Sequence, residues 1–186
     1  VVLTTRDTAD RAKNAGDADV VTVETGDNWR KTYTDVAAAM HRTESGAERL
    51  GEFDTEAKRV GNVMDAVHNQ VSLVRFTADA TVAEGTAGFA EAILSQVGVQ
   101  RPPSQRGAEP TTLTDENLED ADADLIYVAH DGDAGLERAE KLFDTDRWQD
   151  MGAPTWQRVL WVNDDIWYHS SGLAAAWLVL NDLKSS

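Results

Sequence analysis

Between residues 45 and 68 the side chains Leu50, Phe53, Ala57, Val60, Met64 and Val67 recur at alternating steps of three and four, the spacing of a single helical face. Ser45 and Glu48 stand where a capping box would open that helix. At about 1.5 Å per residue the segment spans roughly 35 Å. A crossover helix inside a small sheet does not need that length, whereas a helix joining two lobes does.

Around this helix, short β-rich runs alternate with helical patterns. The runs are VVLT (1–4), DVVTV (19–23), VSLVRF (71–76), DLIYVA (124–129) and RVLWV (158–162). Trp29, Tyr33, Val36, Ala37 and Met40 form one helical stripe. Phe89, Ala90, Ile93, Leu94 and Val97 form a second, and Leu173, Ala176, Trp177, Leu180 and Leu183 a third. Strands separated by helices predict an α/β fold, a three-layer lobe with a mainly parallel sheet. Two strands before the long helix are too few for a closed layer, and three after it suffice. The chain therefore divides into a remnant of an N-terminal lobe (1–43), a connecting helix (44–69) and a C-terminal α/β lobe (70–186). On this reading it is the C-terminal part of a larger protein, trimmed or mature at its start, where no signal-peptide pattern stands.

Composition excludes several classes of chemistry. The 186 residues carry 33 acidic against 17 basic side chains, a formal charge of -16. Such a surface repels nucleic acid and anionic membranes. The absence of cysteine removes disulfides, thiolate nucleophiles and sulfur-ligated metals. No G-x-S-x-G elbow, Gly-rich phosphate loop or H-E-x-x-H motif is present. No catalytic residues, resident cofactor or protein-held metal are expected.

Ligands of open α/β sheets bind beyond the carboxyl ends of the strands. Arg6 follows the first run, Arg75 and Phe76 end VSLVRF, His130 and Asp131 follow DLIYVA, and Trp167, Tyr168 and His169 follow the last run. Arginine forks bind carboxylates and stack on rings. Arg6, Arg75, His130, Trp167 and Tyr168 are thus the candidate ligand contacts, suited to an anion with flat or apolar parts. Trp167 and Tyr168 are placed at the mouth of the crevice because a turn before a helix has little core to fill, with Ser170 or Ser171 as the cap of the final helix. Trp148, Trp156 and Trp161 are read as packing residues, and His41 and His68 as caps or surface residues.

The order of these segments, from DNWRKTYTDVAAAMHRTESGAERL through VSLVRF, GFAEAILSQVGVQRP and LTDENLEDADADLIYVAH to DRWQDMGAPTWQRVLWVNDDIWYHSSGLAAAWLVLNDL, resembles the substrate-binding proteins of bacterial iron-siderophore, haem and cobalamin importers. The resemblance implies two α/β lobes joined by one long helix. It further implies an extracytoplasmic protein, periplasmic or a cell-surface lipoprotein, acting as a monomer. Such a protein captures a ferric siderophore or related iron chelate and delivers it to the permease of an ABC transporter. It assigns Arg6 and Arg75 to anionic ligand groups and Glu116 to permease docking. Haem or cobalamin is the alternative ligand within the same family, with Tyr168, His169 or His130 as axial candidates for haem. A small α/β enzyme using His130 or His169 as general base, oriented by Asp131, is the alternative outside it.

Overall fold

The strand VSLVRF, β3 (Val71–Phe76), is the centre of the molecule: five of its six residues are buried, as expected of a strand covered on both faces. The computed structural model describes residues 2–4, 20–22 and 28–185. Among these, β3 lies in a five-stranded sheet with β4 (Thr81–Ala83), β5 (Thr111–Leu113), β6 (Leu125–His130) and β7 (Val159–Trp161), in the order β5-β4-β3-β6-β7. β3, β6 and β7 pair in parallel, and β4 pairs antiparallel with both β3 and β5. Four strands therefore run one way and β4 the other. Strands β4 and β5 were not foreseen, because three residues are too few to display an alternation of period two. β1 (Val2–Thr4) and β2 (Val20–Thr22) form a separate parallel pair.

Alternation along β3 splits the core into two layers. Val71 and Leu73 face helices α1 (Trp29–Ala39), α2 (Thr43–Val63), α3 (Phe89–Val97) and α8 (Leu173–Lys184), where Phe53, Val60, Ile93 and Leu180 are buried. Val74 and Phe76 face α4 (Gly132–Phe143), α5 (Asp146–Gln149) and α6 (Gly152–Thr155), through Ala139, Trp148 and Ala153. Helices on both faces of the sheet give three layers. Trp29 packs edge-on against Phe53 and Phe89, at 5.6 and 6.1 Å between ring centroids. The start of α1 is thereby built into the core of the lobe.

The long helix is shorter than its apolar stripe. α2 covers 21 residues, roughly 31 Å, and ends at Val63. Asp65 adopts the left-handed conformation (φ 50°). Its N–H donates to the Asn62 carbonyl and that of Ala66 donates to the Gly61 carbonyl, a Schellman ending with Asp in the usual glycine place. Asn69 Nδ2 donates to the carbonyls of Met64 and Asp65. The ending turns Ala66 into the core and leaves Val67 64% exposed. At the other end, Arg42 is the N-cap and no side chain caps the helix. Ser45 Oγ donates to the Arg42 carbonyl instead, so the predicted capping box does not form.

Gly61 lets α2 approach α3. A Cβ there would lie 2.1 Å from the Val97 carbonyl oxygen, a backbone atom. Alanine is the better helix former by about 1 kcal/mol, but overpacking costs about 1–3 kcal/mol or more. Gly61→Ala is therefore expected to lower the urea midpoint. A raised midpoint would show that the helices are not in contact at this position.

Candidate functional site

The crevice residues come from three strand ends. Arg75 is the penultimate residue of β3, on the face shared with Leu73. Asp131 follows β6, and Asp164 opens the short helix α7 (Asp164–Trp167) just after β7. Asn163 caps α7 by accepting from the Ile166 N–H at 3.0 Å, which fixes Asp164 in its first turn. Tyr168 and His169 follow directly.

These residues converge on the Arg75 guanidinium. Its Nε donates to Asp164 Oδ1 at 2.6 Å and its Nη2 to Asp164 Oδ2 at 2.8 Å, a bidentate fork. Nη2 also lies 2.8 Å from His169 Nε2, and Asp131 Oδ2 stands 3.9 Å away. The guanidinium carbon sits 4.8 Å from the centre of the Tyr168 ring, a cation–π contact. His169 Nε2 is also 3.2 Å from Asp164 Oδ2. The Asp164 hydrogen bonds raise the Arg75 pKa further, against burial.

Behind Arg75 the same layer holds a buried polar cluster. Arg101 donates through Nη2 to the carbonyl of Glu84 and to Gln105 Oε1, both at 2.8 Å. Its Nε and Nη1, and the Tyr168 hydroxyl, are buried without hydrogen-bond partners. Burial lowers the Arg101 pKa and holds that of Tyr168 well above its usual value. Glu91, in the first turn of α3, is 6% exposed. Burial pushes its carboxyl up to about 7, partly offset by a backbone hydrogen bond. Its Oε2 fills the space where a Cβ on Gly88 would stand, 2.3 Å away, and Gly88 has φ 132°. Burial likewise raises the Glu84 carboxyl, against the pull of Arg75 and Arg101.

The structure therefore divides the predicted contacts. Arg75 and Tyr168 meet, joined by His169 and by Asp164, which local pattern did not single out. Arg75 is not a free cation, since its fork is taken. Trp167 requires a correction: it is 0% exposed, donates through Nε1 to Asp182 at 2.8 Å and packs 5.0 Å from Tyr127. The supposed turn is a helical one, and its last residue points back into the core, away from any ligand. His130 is on the opposite face of the sheet from Arg75. It shares that face with Phe76, with Nδ1 3.0 Å from the Gly132 carbonyl oxygen and its ring edge-on to Trp161 at 5.5 Å. Arg6 lies outside the described residues. Glu116 is exposed in a turn ordered by Thr114 and Asn117, beside a groove of about 500 Å³ between β5 and α4. Gly172, with φ 88°, takes the N-cap position of α8 in place of Ser170 or Ser171. Trp148 is buried as expected, whereas Trp156 is 76% and Trp161 47% exposed. His41 and His68 are on the surface. Among the described residues no cluster of three or more His, Asp or Glu could hold a metal, and no helix is long and apolar enough to cross a membrane.

Comparison with known proteins agrees with this architecture. Residues 1–160 match the family described as periplasmic binding protein. The probable siderophore-binding lipoprotein YfiY of Bacillus subtilis is 28% identical over 171 residues, 85% of this chain and 53% of its own length. The chain thus spans about half of that relative. Staphylococcus aureus SirA complexed with staphyloferrin B superposes with TM-score 0.78 at 19% identity, covering 98% of this chain and 69% of SirA. FhuD2 of Staphylococcus aureus with bound ferrioxamine B superposes with TM-score 0.70 at 14% identity, covering 99% and 73%. At those identities the two structures establish the shared fold.

Proposed function

The chain belongs to the periplasmic binding protein family, and on that premise we propose that it is the ligand-binding part of an ABC-type importer that captures a ferric siderophore outside the cytoplasmic membrane. The observation that carries this reading is the convergence of Arg75, Asp164, Tyr168 and His169 at the carboxyl edge of the sheet, where open α/β folds bind small molecules. The relative whose sequence it follows is named for siderophore binding, and both superposed structures hold siderophores.

The arrangement fits capture without chemistry. The half-buried Tyr168 ring lies under the Arg75 guanidinium with its hydroxyl buried, so it offers shape and no proton. Asp164 and His169 hold Arg75 in place, which limits the rearrangement needed on binding. The iron arrives as part of the ligand. Exposed Glu116 is a docking group for basic residues of the membrane permease, and a monomer suffices for both contacts.

Tryptophan fluorescence tests the reading. A ferric siderophore is expected to quench emission. Parallel titrations with ferric citrate, haem and cobalamin separate the ligand classes. A haem absorbance band shifted on mixing would favour haem, and silence with every ligand would contradict the reading.

A further inference from the structure

The state of Arg75 bears on which ferric chelates the crevice accepts, an inference that rests on the siderophore reading above. A lone arginine at a strand end is an anion receptor. Here its Nε and Nη2 are bound to one carboxylate in a two-point fork, and Nη2 also contacts the His169 ring. Among the described residues only Nη1 lacks a protein acceptor. The Asp164 side chain is 11% exposed and that of Arg75 18%, so solvent screens the pair little and each charge is spent on the other. The pair sums to zero.

The Arg101 guanidinium behind it is largely buried, and the nearest exposed charge is negative. Asp131 Oδ2 lies 3.9 Å from Arg75 with its side chain 60% exposed. An anionic chelate entering here would meet the exposed Asp131 carboxylate and would have to break the Asp164 fork to reach a guanidinium. That loses a charge-assisted pair and leaves a desolvated carboxylate behind. A neutral or cationic chelate meets no such opposition and has the Tyr168 ring and the edge of the guanidinium to rest on.

Ferric chelates differ in this respect. Three catecholates or a set of carboxylates leave the ferric complex with a net negative charge. Three hydroxamates cancel the iron charge, and a pendant ammonium makes the complex positive. We propose that Asp164 is the charge-selecting residue of this crevice, its fork with Arg75 converting an anion receptor into a site for hydroxamate chelates of zero or positive net charge.

Equilibrium titration of the 186-residue chain with a ferric trishydroxamate bearing a free ammonium, a ferric tricatecholate and ferric citrate tests this, for the native chain and for Asp164→Asn. The native chain is expected to favour the hydroxamate by about a hundredfold. Asp164→Asn frees the fork and should move the hydroxamate-to-citrate ratio at least about tenfold towards citrate. Asp131→Asn, at an exposed position, should shift it in the same direction by less, without disturbing the fold. Far-UV circular dichroism checks that both variants are folded. Preference of the native chain for either anionic chelate, or a ratio unmoved by both substitutions, overturns the proposal and leaves the siderophore reading standing. Binding of none of the three chelates overturns both.

Discussion

Trp167→Ala is expected to destabilise the chain by about 3–5 kcal/mol, the cost of deleting a fully buried large side chain. Trp167 is 0% exposed, rests against Tyr127 and donates to Asp182. It ties the last turn of α7 to α8, since Asp182 belongs to that helix. Trp167→Phe keeps most of the ring and loses only the hydrogen bond, which costs about 1 kcal/mol. Urea unfolding should therefore order the stabilities as native, then Phe, then Ala, and the Phe variant should retain ligand affinity. Native-like stability for Trp167→Ala combined with lost ligand quenching would put this side chain at the surface, contrary to the structure.

The second large effect is a pH dependence centred on Glu91. Its folded-state carboxyl titrates near 7, above the ordinary value of 4.5. Between those values the folded chain holds a proton that the unfolded chain has released. The stability associated with Glu91 is therefore complete below pH 4.5 and declines as pH rises towards about 7, by about 3 kcal/mol in all. The groups facing it are Glu84 after β4, Arg101 after α3 and Tyr168 after α7. Glu84 is also raised by burial, so it pushes in the same direction. Glu91→Gln keeps the shape and removes the titration. At about pH 8 the variant should be more stable than the native chain by up to about 3 kcal/mol, and near pH 4.5 the two should coincide. Parallel stability curves across this range would show that Glu91 is solvated.

The central strands were legible because a strand covered on both faces is written as a short, mainly apolar and β-branched run, as in VSLVRF and LIYVA, and the helices because their stripes carry the period of 3.6. What was lost depended on single residues or on distance. The end of α2 was overrun because Val67 continues the stripe, whereas the left-handed turn at Asp65 that ends the helix has no glycine to announce it. β4 and β5 exist through their neighbours rather than their own pattern. Trp167 was misplaced because composition does not say which way the last residue of a four-residue helix points. At the site, the strand-end rule located Arg75 and Tyr168 without revealing their environment. Asp164, 89 residues from Arg75, and the buried groups of Arg101 and Glu91 become visible only when the sheet and α3 bring them together. The one local hint was NDD, one residue beyond β7, a helix start whose acids lie at a strand end.

The most direct test of the account is the affinity of the chain for a ferric trishydroxamate and for the same chelator without iron, measured by isothermal titration calorimetry. The account predicts saturable one-to-one binding of the ferric complex and at least about tenfold weaker binding of the metal-free chelator, which must first be ordered into the compact shape that iron imposes. Equal affinity for the two forms would contradict it, as would no heat from either together with none from the ferric tricatecholate or ferric citrate.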